Sequence, residues 1–600
     1  MQATAGAANG AADQPWRHNA ALDSVGEQLR RLRAAMARFP QRRRIYLLSL
    51  GIVVVISANA VSQTALNAWQ RTFYDALEQK DVPEFLWQLV VFLAIVAGLL
   101  VLVVAQTWLR EMLTVRLREW ITRDLLGEWL KPRRAYLLGL AGELGVNPDQ
   151  RLQDDARRLS ELSADLGVGL FQSSLLLVTF VGVLWVLSAE VILPIGGSTM
   201  HVPGYLVWCA IGYALGGSWL TWQVGRPLIR LNAERYEREA EFRFALVRVS
   251  ESADSISLNV GELDEKRHVE DVLDRVTRLT IELANGLAKL TWVTSGYGWI
   301  AIVFPIVVAA PGYFMGSLTF GGLMMAAGAF IQVQQALRWF VDSFPRIADW
   351  RAALLRVTAL RDTLLDLESI HGDGERLEIV RDGPDRIVLK DLDLLLTDGR
   401  SRLVEGDVEF APGERVQIHG EAGAGKTTLF RALAGLWPWG SGRIELPPSD
   451  TMIFLSERPY LPLGTLRNAV SYPSGPAAFP DAAIRAALRR VGLGHLEAQL
   501  DEDKRWDRSL HLDEQQRLMI ARVILHKPRW IVVDNAMSAL DEPQRALVTD
   551  ILERELKDSA LISFARPTRR DGFFHRHLHL QRRPGQTPLP IERPHEDDHP

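Results

Sequence analysis

The sequence predicts an α-helical membrane domain of six spans followed by an α/β domain built around a phosphate-binding loop. Three observations carry this. Residues 45–340 are apolar in long blocks, whereas 345–600 have the composition of a water-soluble protein. Six of those blocks reach the roughly twenty apolar residues that a helical span requires. The second half contains G-x-x-x-x-G-K-[ST], filled by Gly420, Gly425, Lys426 and Thr427, between an alternating run (Val416, Ile418) and the helix-like TTLFRALAGL. A chain of 600 residues fits two to four domains. Its single cysteine, Cys209, excludes intramolecular disulfides and Cys-based metal sites. The first 20 residues lack the basic–apolar–cleavage order of a signal peptide.

Taken in order, residues 1–40 read as a disordered tail (1–20) and an amphipathic helix. Leu22, Val25, Leu29, Leu32, Met36 and Phe39 recur at helical spacing against Arg30, Arg31, Arg33 and Arg38. Such a helix suits an anionic membrane surface, and the Arg42–Arg44 run favours that over packing on the protein. The membrane domain is expected over 41–345, with spans near 45–65, 86–108, 165–188, 203–224, 290–310 and 313–337. None carries Asp, Glu, Lys or Arg in its central part. Asp75, Glu78, Glu190 and Asp342 sit only near span ends, so no buried carboxylate offers a proton relay.

Arginine crowds the 109–164 and 225–289 loops (Arg110, Arg116, Arg123, Arg230, Arg238, Arg248 among others), while 189–202 has no Lys or Arg. Both basic loops and both termini are therefore expected in the cytoplasm. Their helix-like patterning predicts that the spans continue beyond the membrane. A tight outer turn near Pro311–Gly312 makes the last two spans an antiparallel pair.

Residues 346–385 read as a connecting helix and a linker around His371–Glu375, and 386–582 as the nucleotide-binding domain. A polar tail follows over 583–600. The histidines at 575, 577, 579, 595 and 599 read as solvated rather than as a metal tract.

The loop Gly420, Glu421, Ala422, Gly423, Ala424, Gly425, Lys426, Thr427, Thr428 turns backbone N–H groups and a helix N-terminus toward a phosphate. Lys426 is expected to reach the β/γ-phosphates and Thr427 to ligate Mg²⁺, so the cofactors expected are ATP and Mg²⁺. Downstream, the apolar strand Trp530–Val533 ends in Asp534, the acidic residue such a site needs to hold the metal through water. Ser538-Ala539-Leu540-Asp541 follows directly.

In these motifs, their order and their spacing, the chain resembles the nucleotide-binding domain of ABC transporters. The membrane half resembles the exporter-type branch holding the SbmA/BacA-like peptide uptake proteins, the YddA-like proteins and the peroxisomal fatty-acyl transporters. The likeness is carried by RTFYDALEQKD (71–81), NPDQRL (147–152), EFRFALVRVSESADSI (241–256), LRWFVDSFPRIADWRA (337–352), ALAGLWPWGSGRI (432–444) and RPYLPLGTLR (458–467). It implies a half-transporter of the inner membrane that dimerises, as homodimer or with another half-transporter. Each ATP site would take the phosphate loop of one chain and the signature of the other. It implies a peptide-like or amphipathic solute and no nucleic-acid partner.

Against the family pattern, the general base becomes Asn535, the histidine switch Ala565 and the glutamine of the Q-loop Glu457. The signature L-S-x-G-E-Q-Q-R becomes Leu510–Arg517, with His511 and Asp513 in place of its Ser and Gly. An amide cannot take a proton from water, and losing a general base costs about 10²–10⁴-fold. Asp513 brings a carboxylate toward the γ-phosphate, a repulsion of about 4 kcal/mol before screening at ~4 Å and an effective dielectric of ~20, part of which a protonated His511 would offset. No aromatic residue stands in the adenine turn Leu396-Thr397-Asp398-Gly399. The resemblance thus predicts ATP binding with slow or absent hydrolysis. The alternatives are a transporter driven by an ion gradient with a regulatory nucleotide domain, a non-transporting scaffold or sensor, and neutral drift of the site.

Overall fold

In the computed structural model the described residues are 25–140, 148–189, 193–195, 198–200, 202–370, 375–381, 383–396, 399–564 and 573–583. The expected tail 1–20, Leu22, Glu190, most of the 371–375 linker, Thr397, Asp398, Ala565, His595, His599 and the 584–600 stretch lie outside them. The chain forms two compact units, one from Met1–Leu126 with Pro148–Leu360, the other from Gly127–Asn147 with Arg361–Pro600.

The first unit is helical: α1 (Val25–Ala37), α2 (Arg42–Glu78), α3 (Val82–Trp129, its last turn in the second unit), α4 (Arg134–Gly139, also there), α5 (Ala156–Ser188), α6 (Tyr205–Glu251), α7 (Ala253–Leu258), α8 (Glu262–Phe314), α9 (Phe320–Asp342) and α10 (Phe344–Ile370, in the second unit from Arg361). Each expected span falls largely on one of α2, α3, α5, α6, α8 and α9. Helices satisfy their own backbone groups, which hydrocarbon cannot do. α2, α3, α5 with its lead-in from Pro148, and α8 are long and apolar enough to cross a membrane on length and composition alone. α9 is diluted by Gln332, Gln334 and Gln335, and α6 by Tyr, Trp, Gly and Ser. Large apolar side chains such as Val61, Leu93, Val101, Val178 and Val186 are exposed, as a lipid-facing surface requires. α1 buries Gln28, Leu32 and Ala35 against the protein and leaves Leu29 and its arginines exposed.

The outer turn is displaced from the expected Pro311–Gly312. α8 carries Pro305 and Pro311 inside it and ends at Phe314; Thr319 then caps α9, its hydroxyl accepting from the Gly322 N–H at 3.0 Å. Pro removes one donor without ending a helix whose neighbours pack closely. Two carboxylates of α2 complete the cap. Asp75 Oδ1 accepts from the Gly321 N–H at 2.7 Å, and Glu78 Oε2 from the Phe320 N–H at 3.4 Å. Anions at the positive end of α9 are stabilising. A Cβ on Gly321 would collide with the Arg71 carbonyl, so this approach of α2 to α9 needs glycine.

Amides cross-link the helices within the apolar region. Asn59 Nδ2 on α2 donates to Gln106 Oε1 on α3 (3.4 Å), and Gln106 Nε2 to Gln172 Oε1 on α5 (2.8 Å). Below them α10 is stapled to α5: Arg346 meets Asp165 at 2.7 Å and Arg356 grips the buried Asp155 through two bonds of 2.9 and 2.8 Å.

The second unit carries a ten-stranded sheet. Its strands are β1 (Glu378–Val380), β2 (Ile387–Leu396), β3 (Gly399–Leu403), β4 (Val408–Phe410), β5 (Arg415–His419), β6 (Gly440–Glu445), β7 (Met452–Leu455), β8 (Trp530–Asp534), β9 (Ala560–Phe564) and β10 (Arg576–Arg583). Their order is β1-β6-β2-β3-β10-β5-β9-β8-β7, with β4 paired to β2. β10, β5, β9, β8 and β7 run parallel, and β8 and β9 are buried nearly throughout, as near-continuous apolar runs should be. Helix α11 (Lys426–Leu433) leaves β5. Helices α12 (Asp481–Arg490), α13 (Leu512–His526) and α14 (Glu542–Arg554) close a second apolar core around Ile484, Leu488, Leu518 and Val548. The short α4 belongs here, with Leu138 fully buried and Leu137 and Leu140 packed on the sheet core.

Candidate nucleotide site

The site is built at the carboxyl ends of the parallel strands, where ligands of open α/β sheets gather. The phosphate loop leaves β5 and enters α11 as the spacing predicts. Gly425 has φ 92°, and a Cβ there would press on Ser401 Oγ at 2.9 Å, so only glycine serves. The Ser401 hydroxyl in turn donates to the Ala424 carbonyl at 2.5 Å, bracing the loop from below. Lys426 Nζ is folded over the loop, donating to the Gly420 and Glu421 carbonyls at 2.5 and 2.9 Å.

Asp534 ends β8 beside this loop. Burial raises its carboxyl above the ordinary range, and the charge of Glu457 adds to that. The Thr427 hydroxyl bonds it and, with Arg431 and Lys426, pulls the other way. Thr427 and Asp534 are thus side by side. Their hydroxyl and carboxylate are hard oxygen donors of the kind Mg²⁺ takes. The metal fits.

Asn535 follows in the left-handed region with φ 54°, exposed, its N–H donating to the Phe564 carbonyl at 3.2 Å. Asn tolerates that conformation better than Glu does. At the end of β9 the switch position Ala565 lies outside the described residues.

The signature stretch opens α13, with His511 as its N-cap. The first turn supplies its own anions. The His511 N–H donates to Glu514 Oε2 at 3.1 Å. Asp513 accepts from Arg517 at 2.8 Å and from the Gln544 amide at 3.4 Å. The Arg517 guanidinium supplies part of the screening that the unscreened figure of about 4 kcal/mol leaves out. The Asp513 carboxylate is paired with a guanidinium one turn on, and what reaches a phosphate is closer to a neutral pair. That i, i+4 spacing was a legible signal. Sequence reasoning also missed Gln516, fully buried, which donates to the Glu457 carbonyl (3.0 Å) and to Ser538 Oγ (3.3 Å) and accepts from the Ala539 N–H (3.1 Å). It ties the Q-loop to the Ser538–Asp541 loop.

The histidines of the last strand have partners that the sequence order hides. His577 and His579 lie on one face of β10 next to His419, which immediately precedes the phosphate loop. The His419 Nε2 and His577 Nδ1 atoms are 2.9 Å apart, and His579 meets Glu405 at 3.0 Å. His575 and His579 are exposed and His577 half-buried, and the neighbouring-strand partners are what linear order does not show. No group of three or more His, Cys, Asp or Glu able to hold a metal occurs among the described residues.

Two family descriptions match the chain: "ABC transporter transmembrane region 2" over residues 32–314 and "ABC transporter" over 404–538. The chain is 30% identical over 525 residues to the inner membrane ABC transporter ATP-binding protein YddA of Escherichia coli K12, covering 86% of this chain and 90% of that one. It is 29% identical over 552 residues to the chloroplastic ABC transporter D family member 2 of Arabidopsis thaliana, with 80% and 75% covered. Human ATP-binding cassette sub-family D member 3 is 25% identical, with 83% and 80% covered. Among solved structures, a bacterial Atm1-family ABC exporter with ATP bound superposes with a TM-score of 0.66 at 16% identity, covering 88% of this chain and 91% of that one. The expected fold is thereby met: a helical transmembrane domain followed by a P-loop sheet-and-helix domain. Phosphate loop, strand-end carboxylate and shared architecture converge, and the chain belongs to the ABC transporters as a membrane-embedded, ATP-binding half-transporter of the branch that includes YddA and the D sub-family.

Proposed function

We propose that two copies of this chain assemble in the cytoplasmic membrane and move a peptide-like or amphipathic solute, with Mg²⁺-ATP binding, rather than rapid hydrolysis, favouring closure of the dimer. The nucleotide domain (386–582), the connecting helix and linker (346–385) and both termini lie on the cytoplasmic side of the 41–345 membrane domain. The observation that carries this is a contrast within one site. The loop from Gly420 to Thr428 is braced and its Thr427 stands beside Asp534, yet the next residue is an amide, Asn535.

In this reading Thr427 and Asp534 hold Mg²⁺, which supplies charge neutralisation at the β/γ-phosphates when bound. Lys426 leaves its loop carbonyls for the phosphates. Asn535 orients water without accepting its proton. Pairing with an intact half-transporter restores neither site, since one keeps Asn535 and Ala565 and the other keeps His511 and Asp513. Asp75 and Glu78, two of the acidic groups near the span ends, already serve as acceptors at the α9 N-terminus, which does not favour an ion-driven alternative. Purified protein in lipid should bind Mg²⁺-ATP and turn it over far below one per second. Turnover in the ordinary enzymatic range of about 1–10³ per second would refute the proposal.

A further inference from the structure

Within the helical unit, α6, α8 and α9 enclose a cavity of about 20 Å³. Ser218 and Thr221 of α6, Thr294 of α8, and Gln334, Arg338 and Asp342 of α9 border it. A tyrosine clasp stands on its side toward the α8–α9 turn. The Tyr213 hydroxyl of α6 donates to the Tyr297 carbonyl of α8 at 2.6 Å, and the Tyr297 hydroxyl donates to the Tyr213 carbonyl at 2.7 Å. The two rings stack at 4.2 Å, and Gly217 leaves room for them, since a Cβ there would strike the Tyr297 ring. On the other side, Arg338 lies about 27 Å along α9 from Phe320, at ~1.5 Å per residue. That is close to the full depth of a hydrocarbon core of about 30 Å, so the exposed Arg338 and Asp342 mark a mouth near one membrane boundary.

The protein does not satisfy the donors around this cavity. Among the described residues, the Ser218 and Thr221 hydroxyls make no hydrogen bond, whereas Thr294 donates to the Leu290 carbonyl at 3.1 Å. Arg338 meets Asp342 through Nε alone at 3.1 Å, and its two Nη groups make no hydrogen bond among the described residues. Gln334 is 7% exposed, with its amide against the Tyr297 hydroxyl. An ion pair one helical turn apart gains little by itself, and it calls for neither hydroxyls nor a cavity. Ionisable groups kept among spans mark a ligand path. Guanidinium and hydroxyl donors together suit an oxyanion. An anion alone, however, meets the Asp342 carboxylate, and a cation alone meets Arg338. A head group carrying both charges satisfies both residues.

We propose that this cavity seats the head of a zwitterionic amphiphile, its oxyanion on the Arg338 Nη groups and the Ser218 and Thr221 hydroxyls, its ammonium on Asp342. A cavity of this size admits about one water-sized group, so one oxyanion oxygen enters while the ammonium and the apolar body stay at the mouth. The inference rests on the reading of the chain as a mover of amphipathic or peptide-like solutes, and it names the polar class of the solute. A phosphoethanolamine lipid and an amino acid acylated on its side chain share that chemistry.

The test uses full-length protein in detergent micelles and reads binding as thermal stabilisation against the mole fraction of four probes. Two are zwitterions, lysophosphatidylethanolamine and Nε-lauroyl-lysine; lysophosphatidylglycerol carries only the anion and dodecylamine only the cation. At least one zwitterion should bind ten-fold more tightly than either single-charge probe, and which one does so identifies a lipid head or an amino-acid head. Arg338→Gln and Asp342→Asn should each remove that preference, and Thr221→Val, a milder change should a charge variant misfold, should weaken zwitterion binding several-fold. Exchanging the pair, Arg338→Asp with Asp342→Arg, keeps an ion pair but moves the cation off the hydroxyls, and it should not restore the preference. Equal binding of all four probes, no binding, a preference indifferent to the two charge variants, or rescue by the exchange would overturn the proposal. Zwitterion binding that depends on the pair, with no ATP-dependent movement of the probe in vesicles, would leave this assignment standing and sink the transport reading. ATP-dependent movement of an amphipathic peptide that is indifferent to Arg338→Gln would do the reverse.

Discussion

The phosphate loop and the signature stretch sit in one domain and, in the proposed dimer, would serve two different nucleotides, yet they have been treated differently. At the loop, backbone and helix are set for an anion. Gly425 adopts a backbone angle that other residues avoid, Ser401 braces the turn, and α11 begins with Lys426 and Thr427, its first turn free of acidic residues. At the signature, the positive end of α13 is already answered from within: Glu514 takes the His511 N–H and Asp513 takes Arg517. A helix N-terminus so neutralised has little left to offer a phosphate. The difference teaches that binding and cleavage separate in physical terms. On the proposed reading, the phosphate loop keeps what holds a triphosphate, while the signature carries His511 and Asp513 where the family pattern has Ser and Gly.

The largest expected effect breaks the loop side. Lys426→Ala should weaken ATP binding at least a hundred-fold in a calorimetric titration, because the loop loses the cation that would swing onto the phosphates. Next, Asn535→Glu should raise hydrolysis about ten- to a hundred-fold. That is below the full 10²–10⁴ of a general base, because Glu is strained at φ 54° and the signature remains blocked. Replacing His511→Ser and Asp513→Gly together in that background should add a further several-fold in steady-state turnover. It should also lower the melting temperature by a few degrees, since Arg517 loses its partner and the helix one of the two acidic residues of its first turn. The smallest effect sharpens the loop side. Ser401→Ala removes one buried hydrogen bond worth about 1 kcal/mol, and ATP affinity should fall about five-fold. If Ser401→Ala and the signature pair were to change affinity equally, the contrast between the two faces would be lost.

Much of this was legible in the sequence because it is local. Long apolar blocks fix the helices, and a strand–loop–helix with Gly, Lys and Thr at fixed offsets fixes the loop. What escaped was contact across the fold. Asn59, Gln63, Asn67 and Gln70 recur at three- and four-residue spacing, a polar stripe along α2 that reading for charges alone passes over. Two members reach neighbouring helices, Asn59 to Gln106 and Asn67 to the Met325 carbonyl at 3.0 Å. Asp75 and Glu78 looked like ordinary span-end residues until α9 was placed beside them. His577 and His579 acquired meaning only when β10 was set next to β5, more than 150 residues away in the chain. Asp513 differs from these, because its neutralising partner Arg517 stands only four residues on. A carboxylate weighed without the guanidinium beside it looks far more repulsive than the pair is.

The separation of holding from cleaving is tested most directly by trapping. Wild-type protein in lipid, mixed with Mg²⁺ and γ-labelled ATP, is separated from free nucleotide after several minutes, and the bound species is identified. Retention of intact ATP is the predicted result; no bound nucleotide, or recovery of ADP with released phosphate within seconds, would contradict it.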